Sequence, residues 1–210
     1  HDPMWRPAVP TEASPMILPS VRDPRLITVH RGGLLSDADH RSLALWAAEC
    51  ASHVLGLFEG VEPSDSRPRD AIDATHAWVR GELAMMATRA LGGHSMGAAR
   101  PLRGAARFAA YAAGQAACVA HVPEHDLGAA AYAIKAVRAA APAGAEGVAG
   151  RRELEWQRDR LPSSVRELVL EDQKRRNSIC WYVFEDRHAG SSRVQVAGIS
   201  PRPARGHRRW

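Results

Sequence analysis

Cysteine is scarce in this chain, which has only three, and no two of them form a CxxC pair. An odd number of widely spaced cysteines argues against a disulfide framework and against a thiolate zinc site. Cys50 and Cys118 instead lie among apolar residues at helical spacing, the setting of a small buried side chain. We therefore expect all three cysteines, Cys180 included, to be buried free thiols.

A long uninterrupted apolar run is also missing. The longest alanine-rich run contains Arg107 and Gln115, and alanine is too weakly hydrophobic for such a run to span a membrane. The N-terminus carries prolines in place of the apolar run of a signal peptide. The sequence predicts a cytoplasmic protein with no membrane partner.

The short motifs of nucleotide chemistry and nucleophilic catalysis are absent. The sequence contains no GxxxxGK(S/T) loop, no GxGxxG after a strand and no GxSxG elbow. No cofactor is expected. A binding protein is favoured over an enzyme, although the residues leave an enzyme open.

The net positive charge is small and unevenly placed. A formal charge of +5 comes from 28 basic and 23 acidic residues, and the excess is concentrated in residues 202–209. Basic character can indicate nucleic acid or acidic partners. Here it predicts only weak, non-specific binding of nucleic acid through the tail.

Proline content and periodicity divide the chain into three parts. Six prolines argue against a long helix in residues 1–33, where only Leu26–Val29 looks strand-like. Helical patterns fill residues 34–184, and residues 185–210 form a basic tail that we expect to be partly disordered. The sequence predicts a single domain with irregular extensions.

The stretch 104–142 predicts two central helices joined at HVPEHD. Alanines share one face of each helix, because they recur at steps of three and four: Ala105, Ala109, Ala113, Ala116 and Ala120 in the first, and Ala129, Ala133, Ala136 and Ala140 in the second. Small side chains allow two helices to approach closely. We predict an all-α fold of about six or seven helices around this most buried pair.

Capping and turn residues place the other helices. Ser36 is a good N-cap of the first helix, and Asp126 is the expected N-cap of the second central helix. Pro68 fits the first turn of another helix, which Gly81 splits in two. The apolar residues of that helix are expected to form its buried side: Ile72, Val79, Leu83 and Met86.

Glycine and proline also mark the predicted connections. LGGHSMG at 91–97 indicates a flexible connector, and AGAEGVAG after Pro142 indicates a loop. Ser164 and Glu167 have the spacing of a capping box. Residues 180–184 fit either a hairpin strand or a short helix.

Three histidines supply the metal-site hypothesis. His121 and His125 are four apart, but Pro123 between them argues against an unbroken helix that would align both rings. His40 could add a third ligand only through folding. No metal is expected, although a deep pocket lined by His40, His121 and Tyr132 would favour a metal-dependent enzyme.

Two polar groups are the candidate partner-binding residues. They lie around the second helix and on the central pair: Arg67, Arg69, Trp78 and Arg80, then Tyr132, Lys135 and Arg138. Mixed arginine and aromatic surface is typical of binding sites. It is also typical of long side chains that simply extend over an alanine-rich core, and both interpretations stay open.

Several stretches resemble one protein family. The most specific is AHVPEHDLGAAAYAIKAVRAAAP at 120–142, accompanied by DHRSLALWAAECASHVL at 39–55 and RPRDAIDATHAWVRGE at 67–82. They resemble the helical immunity proteins of bacterial polymorphic-toxin systems, over about residues 34–184. The resemblance implies a cytoplasmic protein that binds and neutralises a toxin encoded nearby, and it carries over no catalytic motif.

The alternatives belong to other functional classes. Similar sequences are sometimes labelled an SMC-type exonuclease subunit, but this chain lacks the Walker loop, the long coiled coil and the CxxC hook of such a protein. A nucleic-acid-binding or nuclease-associated protein and a histidine-site enzyme remain as alternatives. A homodimer is also left open.

Overall fold

The computed structural model describes residues 18–185, and this part of the chain is helical. Two 3-10 turns and eight α-helices follow one another: Pro24–Leu26, Val29–Arg31, α1 Asp37–Val54, α2 Gly56–Glu59, α3 Arg67–Val79, α4 Met85–Ala99, α5 Gly104–Cys118, α6 His125–Ala140, α7 Glu146–Asp159 and α8 Arg166–Arg176. Within residues 18–185 no strand forms, and Thr28 and Leu35 make an isolated bridge. The predicted all-α fold is confirmed.

Helices α5 and α6 form the centre of the domain and contact each other more extensively than any other pair. Most alanines of both helices are buried, and Ala109, Ala113, Ala129 and Ala133 have no exposed surface. Because these side chains end at Cβ, the two helix axes can come close together. The predicted faces end earlier than expected, since Ala105 is partly exposed and Ala140 is exposed near the ends of the helices. Helices α1, α3, α4 and α7 pack around this pair.

Helix α4 crosses α5 at a pair of glycines. A Cβ on Gly92 would lie 2.7 Å from the carbonyl oxygen of Gly114, and a Cβ on Gly114 would lie 2.8 Å from the carbonyl oxygen of Gly92. Ser95 Oγ donates to the Ala110 carbonyl at 2.8 Å across the same contact. The predicted flexible connector at 91–97 is therefore wrong. This segment lies inside α4, where Gly92 permits close packing against α5.

The first half of the chain confirms two predicted boundaries and corrects two others. Ser36 caps α1, because its Oγ accepts from the Asp39 amide at 3.1 Å, and Gly81, at φ +77°, separates α3 from α4. The strand predicted at Leu26–Val29 is wrong, since the chain forms two 3-10 turns there. Of the predicted buried side only Ile72 is buried: Val79 and Leu83 are partly exposed, and Met86 is 53% exposed because a turn at Gly81 separates it from α3.

The second half of the chain shows three further differences. Helix α7 begins at Glu146, so the loop predicted after Pro142 is shorter than expected. The Ser164–Glu167 capping box does not form, because Val165 occupies the N-cap position of α8 and no side chain caps it. Residues 180–184 form turns rather than a strand or a helix. All three cysteines are buried and unpaired, as predicted.

Two predictions concern the ends of the chain. The basic tail and any hairpin strand beyond 185 lie outside the described residues, so the division into 1–33, 34–184 and 185–210 stays a prediction. Among the helices of the described part, none has both the length and the apolar character needed to cross a bilayer.

Candidate binding surfaces

The arginines predicted around α3 are already paired with carboxylates nearby in the chain. Arg67 makes a two-point contact with Asp65, with its Nε 2.9 Å from Oδ1 and its Nη2 2.5 Å from Oδ2. Arg80 makes the same kind of contact with Glu82, at 2.8 and 2.6 Å. Arg69 Nη2 lies 2.5 Å from Glu59. Each of these cations has a local partner, so the group carries little unbalanced charge.

Trp78, in the last turn of α3, lines a cleft that Arg67, Arg69 and Arg80 do not line. Its indole meets the His40 ring edge-on, with centroids 4.9 Å apart. Both rings line this open cleft of about 450 Å³, together with His121, Arg31 and other side chains. The structure thus brings Trp78 together with two of the three predicted metal-site histidines.

The three histidines do not form a ligand set. His40 Nε2 donates to the Val119 carbonyl at 2.7 Å, and His125 Nδ1 donates to Gln115 Oε1 at 2.6 Å. No group of three or more histidine, cysteine, aspartate or glutamate side chains within residues 18–185 has the arrangement needed to hold a metal ion. Tyr132 does not line the cleft of His40 and His121, so the pocket expected of a histidine-site enzyme is not formed.

Tyr132 and Lys135 instead belong to an aromatic cluster between α5, α6 and the turn after α8. The Lys135 ammonium lies 3.6 Å from the centroid of the Trp181 ring, 4.6 Å from that of Phe108 and 5.7 Å from that of Tyr132. Tyr111 stacks on Tyr132 with centroids 5.0 Å apart. Burial lowers the pKa of Lys135, and the neighbouring Arg107 lowers it further.

Arg138 lies one turn beyond Lys135 on α6 and packs its side chain over Gly150 of α7. A Cβ on that glycine would lie 2.8 Å from the Arg138 Cδ. Arg138 borders a second cleft, of about 320 Å³, which Trp181 and Tyr182 also line. Both of these aromatic residues have φ +56°, a left-handed conformation that costs an ordinary residue about 1–2 kcal/mol.

Trp181 belongs both to the aromatic cluster around Lys135 and to the cleft beside Arg138, so the cluster and the cleft form one surface. We call it the basic–aromatic surface and define it by six residues: Arg107, Tyr111, Lys135, Arg138, Trp181 and Tyr182. None of its three cations has a carboxylate partner among the described residues, and Arg107 instead contacts the Tyr111 ring and hydroxyl. Tyr182 is 54% exposed. Glu185 also lines the cleft that Arg138 borders, but it forms no ion pair with any of the three cations. Cations without an ion-pair partner beside partly exposed aromatic rings distinguish this surface from the arginines of α3.

Sequence analysis missed the contribution of Trp181 and Tyr182. They lie about 45 residues after Lys135, in a segment that was predicted to be either a strand or a helix. The signal was the presence of three aromatic residues among the four at 181–184, within ICWYVFED. Only the turn that follows α8 places this run against α5 and α6.

A buried ion network lies at the start of α6 and has a structural role. Arg176 of α8 donates to Asp126 at 3.1 Å and to the Glu124 carbonyl at 2.7 Å, and it also pairs with Asp172. Arg22 holds Glu124 with two bonds of 2.7 and 2.6 Å. Asp126 is thus an ion-pair partner of α8 and not the predicted N-cap. Burial raises the pKa of Asp126 to about 7; the charge of Arg176 opposes this shift, and the negative charge of Asp172 adds to it.

Comparison with known proteins identifies the family. A family model described as "Imm-5 like putative immunity protein" matches residues 33–164. Searches of curated proteins and of solved structures find no match. The match spans more than half of the chain and includes α1 to α7, and it agrees with the resemblance that the sequence stretches carry. This protein therefore belongs to the Imm-5 like immunity protein family.

Proposed function

We propose that this protein acts in the cytoplasm as an immunity protein, which binds and neutralises a toxin through the basic–aromatic surface. Membership of the family supports the class of function. The observation that carries the choice of surface is the trio Arg107, Lys135 and Arg138. These cations lie beside exposed aromatic rings and have no carboxylate partner in the described part of the chain.

The charge of this surface indicates the chemistry of the partner. The lowered pKa of Lys135 means that its ammonium loses hydration without gaining an opposite charge. A carboxylate of the toxin would supply that charge, and it would do so beside aromatic rings that exclude water. The toxin is therefore expected to present an acidic face, with aspartate or glutamate opposite Lys135 and Arg107.

The aromatic residues supply the rest of the binding energy. Interfaces are usually dominated by a few tryptophan, tyrosine and arginine side chains near their centre, each worth about 2 kcal/mol or more when truncated. Trp181 contacts Lys135, and Trp181 and Tyr182 line the cleft that Arg138 borders; both are held in a left-handed, strained backbone conformation. Strained backbone of this kind is concentrated at functional sites. Partner binding at this surface would account for it.

The predicted binding role of Arg67, Arg69 and Arg80 becomes secondary. A toxin that recruited any of them would have to compete with Asp65, Glu59 or Glu82. Exposed pairs of this kind contribute about 1 kcal/mol or less to stability. Rim charges of this type mostly alter the rate of association, so their removal should change the affinity little.

The test begins with co-expression of the toxin encoded beside this gene. The intact chain should co-purify with that toxin and protect the cells that express it. Lys135→Gln and Trp181→Ala should each weaken the complex by about 30-fold, the equivalent of 2 kcal/mol. Arg80→Ala is the matched control and should stay within about twofold, because Arg80 is already engaged by Glu82.

Each outcome has a clear meaning. Thermal melting of the free variants shows whether a weaker complex results from lost contacts or from unfolding. Full affinity in folded Lys135→Gln and Trp181→Ala would refute the assignment of the surface while leaving the immunity function intact. Failure to bind or to rescue cells from any adjacent gene product would refute the immunity function itself.

A further inference from the structure

The cleft beside Trp78 has a concentration of cations that the proposed toxin interface does not use. It opens between the turn at 28–31, the start of α1, the end of α3 and the loop after α5. Its residues are separate from the basic–aromatic surface. Fourteen residues along α5 and the following loop separate Arg107 from His121, a distance of roughly 20 Å at 1.5 Å per residue.

The positive charge of the cleft is unbalanced. Arg31 and Arg41 both line it, and neither has a carboxylate partner among the described residues. Asp37 also lines the cleft, but its carboxylate lies 3.1 Å from His30. The two guanidinium groups therefore remain available to an anion from outside the chain.

His121 adds a third donor. Its Nδ1 atom is buried and has no hydrogen-bond partner. A proton on that nitrogen would be an unsatisfied buried donor, which costs more than an unused lone pair of the ring, so we assign the proton to Nε2. Burial lowers the pKa of His121, and Arg31, Arg89 and Arg22 lower it further. The neutral ring thus offers an Nε2–H donor in a region of positive potential.

The remaining lining of the cleft includes an apolar part held in place by a hydrogen bond. His40 is fixed by its bond to the Val119 carbonyl and holds the partly buried Trp78 indole edge-on. Met85 lies beside them. The volume of about 450 Å³ falls within the range of small-molecule sites, which is roughly 300–1,000 Å³.

We propose that this cleft binds a phosphate monoester, with the phosphate at Arg31, Arg41 and His121 and the organic group against Trp78. Three groups of N–H donors match the three terminal oxygens of a monoester, whereas a carboxylate offers only two oxygens. Charge-assisted bonds from guanidinium groups to phosphate are among the strong hydrogen bonds of proteins. The apolar part of the lining favours an aromatic or aliphatic ester over the free ion.

Isothermal titration of the full chain with three probes tests the site. Phenyl phosphate should bind about tenfold or more tightly than inorganic phosphate, and benzoate should bind more weakly than phenyl phosphate. The Arg31→Ala/Arg41→Ala variant should lose at least about tenfold in affinity for phenyl phosphate. Trp78→Ala should bring phenyl phosphate to the affinity of inorganic phosphate.

The control and the refuting results are equally specific. Arg69→Ala removes a cation that lies outside the cleft and pairs with Glu59, so it should leave all three affinities unchanged. Absence of phenyl phosphate binding to the folded chain at millimolar concentration would overturn the proposal. An equal loss in Arg69→Ala would also overturn it, since binding would then follow net charge alone. Toxin binding does not enter this measurement, so the two proposals can fail separately.

Discussion

Two adjacent glycines of α4 allow a direct test of how α4 packs against α5. Gly92 faces α5, and a Cβ there would lie 2.7 Å from the Gly114 carbonyl oxygen and 3.1 Å from both Ala117 Cβ and Cys118 Sγ. Gly93 faces outward, and a Cβ there would meet nothing within 4 Å. Substitution of each glycine by alanine therefore makes the same chemical change in two different environments.

The expected effects have opposite signs. Alanine in place of a helical glycine stabilises a helix by about 1 kcal/mol, and this gain applies to both positions. At Gly92 the added methyl group meets a backbone oxygen that cannot rotate away, and overpacking of this kind costs about 1–3 kcal/mol. Gly93→Ala should raise the free energy of unfolding by about 0.5–1 kcal/mol, whereas Gly92→Ala should lower it by up to about 2 kcal/mol.

Thermal unfolding followed by far-ultraviolet circular dichroism measures this difference. For a chain of this size, 1 kcal/mol corresponds to about 2–4 °C in Tm, so the two variants should lie on opposite sides of the wild type. The difference between the two variants isolates the packing term, because helix propensity and the unfolded state contribute equally to both. Equal shifts in the same direction would refute the close crossing of α4 and α5, because they would mean that Gly92 has as much free space as Gly93.

Three further predictions concern the core, the histidines and the thiols. Ala133→Leu should lower the free energy of unfolding by about 1–3 kcal/mol through overpacking, whereas Ala139→Leu on the exposed side of α6 should change it little, and equal melting temperatures would contradict the buried face. Burial lowers the pKa of His125 to about 4. As the pH falls, the imidazole of the unfolded chain is therefore protonated at a higher pH than that of the folded chain. This residue's contribution to stability is therefore full above pH ~6.5 and is lost toward pH 4, by up to about 1.4 kcal/mol per pH unit. Urea titrations at pH 5 and pH 7 measure the free energy of unfolding at each pH. The decrease from pH 7 to pH 5 should be smaller in His125→Gln than in the wild type. An equal decrease in both proteins would show that His125 is not the residue responsible. Burial raises the pKa values of Cys118 and Cys180 to about 11 and 12, and it also raises that of Cys50 well above its usual range. A thiol reagent should therefore label the native protein slowly and the urea-unfolded protein at three sites; rapid labelling of the native protein would contradict this.

The sequence predicted the central helix pair because its signals are local. Alanines at steps of three and four mark a helical face whatever the rest of the chain does, and Ser36 carries its own capping group. The sequence-based predictions were wrong where one residue type can serve two structural roles, as glycine does in a flexible loop and at a close helix crossing. Gly92 and Gly93 look like a connector, yet the first permits close packing and the second is simply exposed.

The candidate sites were predicted only in part, for a related reason. Tyr132, Lys135 and Arg138 could be selected because steps of three place them along one side of a predicted helix, although the structure buries Tyr132. Their charge balance could not be judged, since a cation is neutralised by whatever carboxylate folding brings near it. Arg80 meets Glu82, two residues away, whereas Lys135 meets the ring of Trp181 from a distant turn.

The sequence by itself determined the helical class, the family and the alanine-rich core, because each follows from residue types at fixed local spacing. The tertiary structure alone decided which cations are balanced and which are not. Electrostatic interaction depends on distance in space and on burial, and neither can be obtained from positions along the chain. Arg107 and Lys135 contact aromatic rings, and Arg138 shares a cleft with Trp181 and Tyr182. None of the three forms an ion pair within the described residues, and this arrangement exists only after α5, α6 and the turn after α8 have packed together.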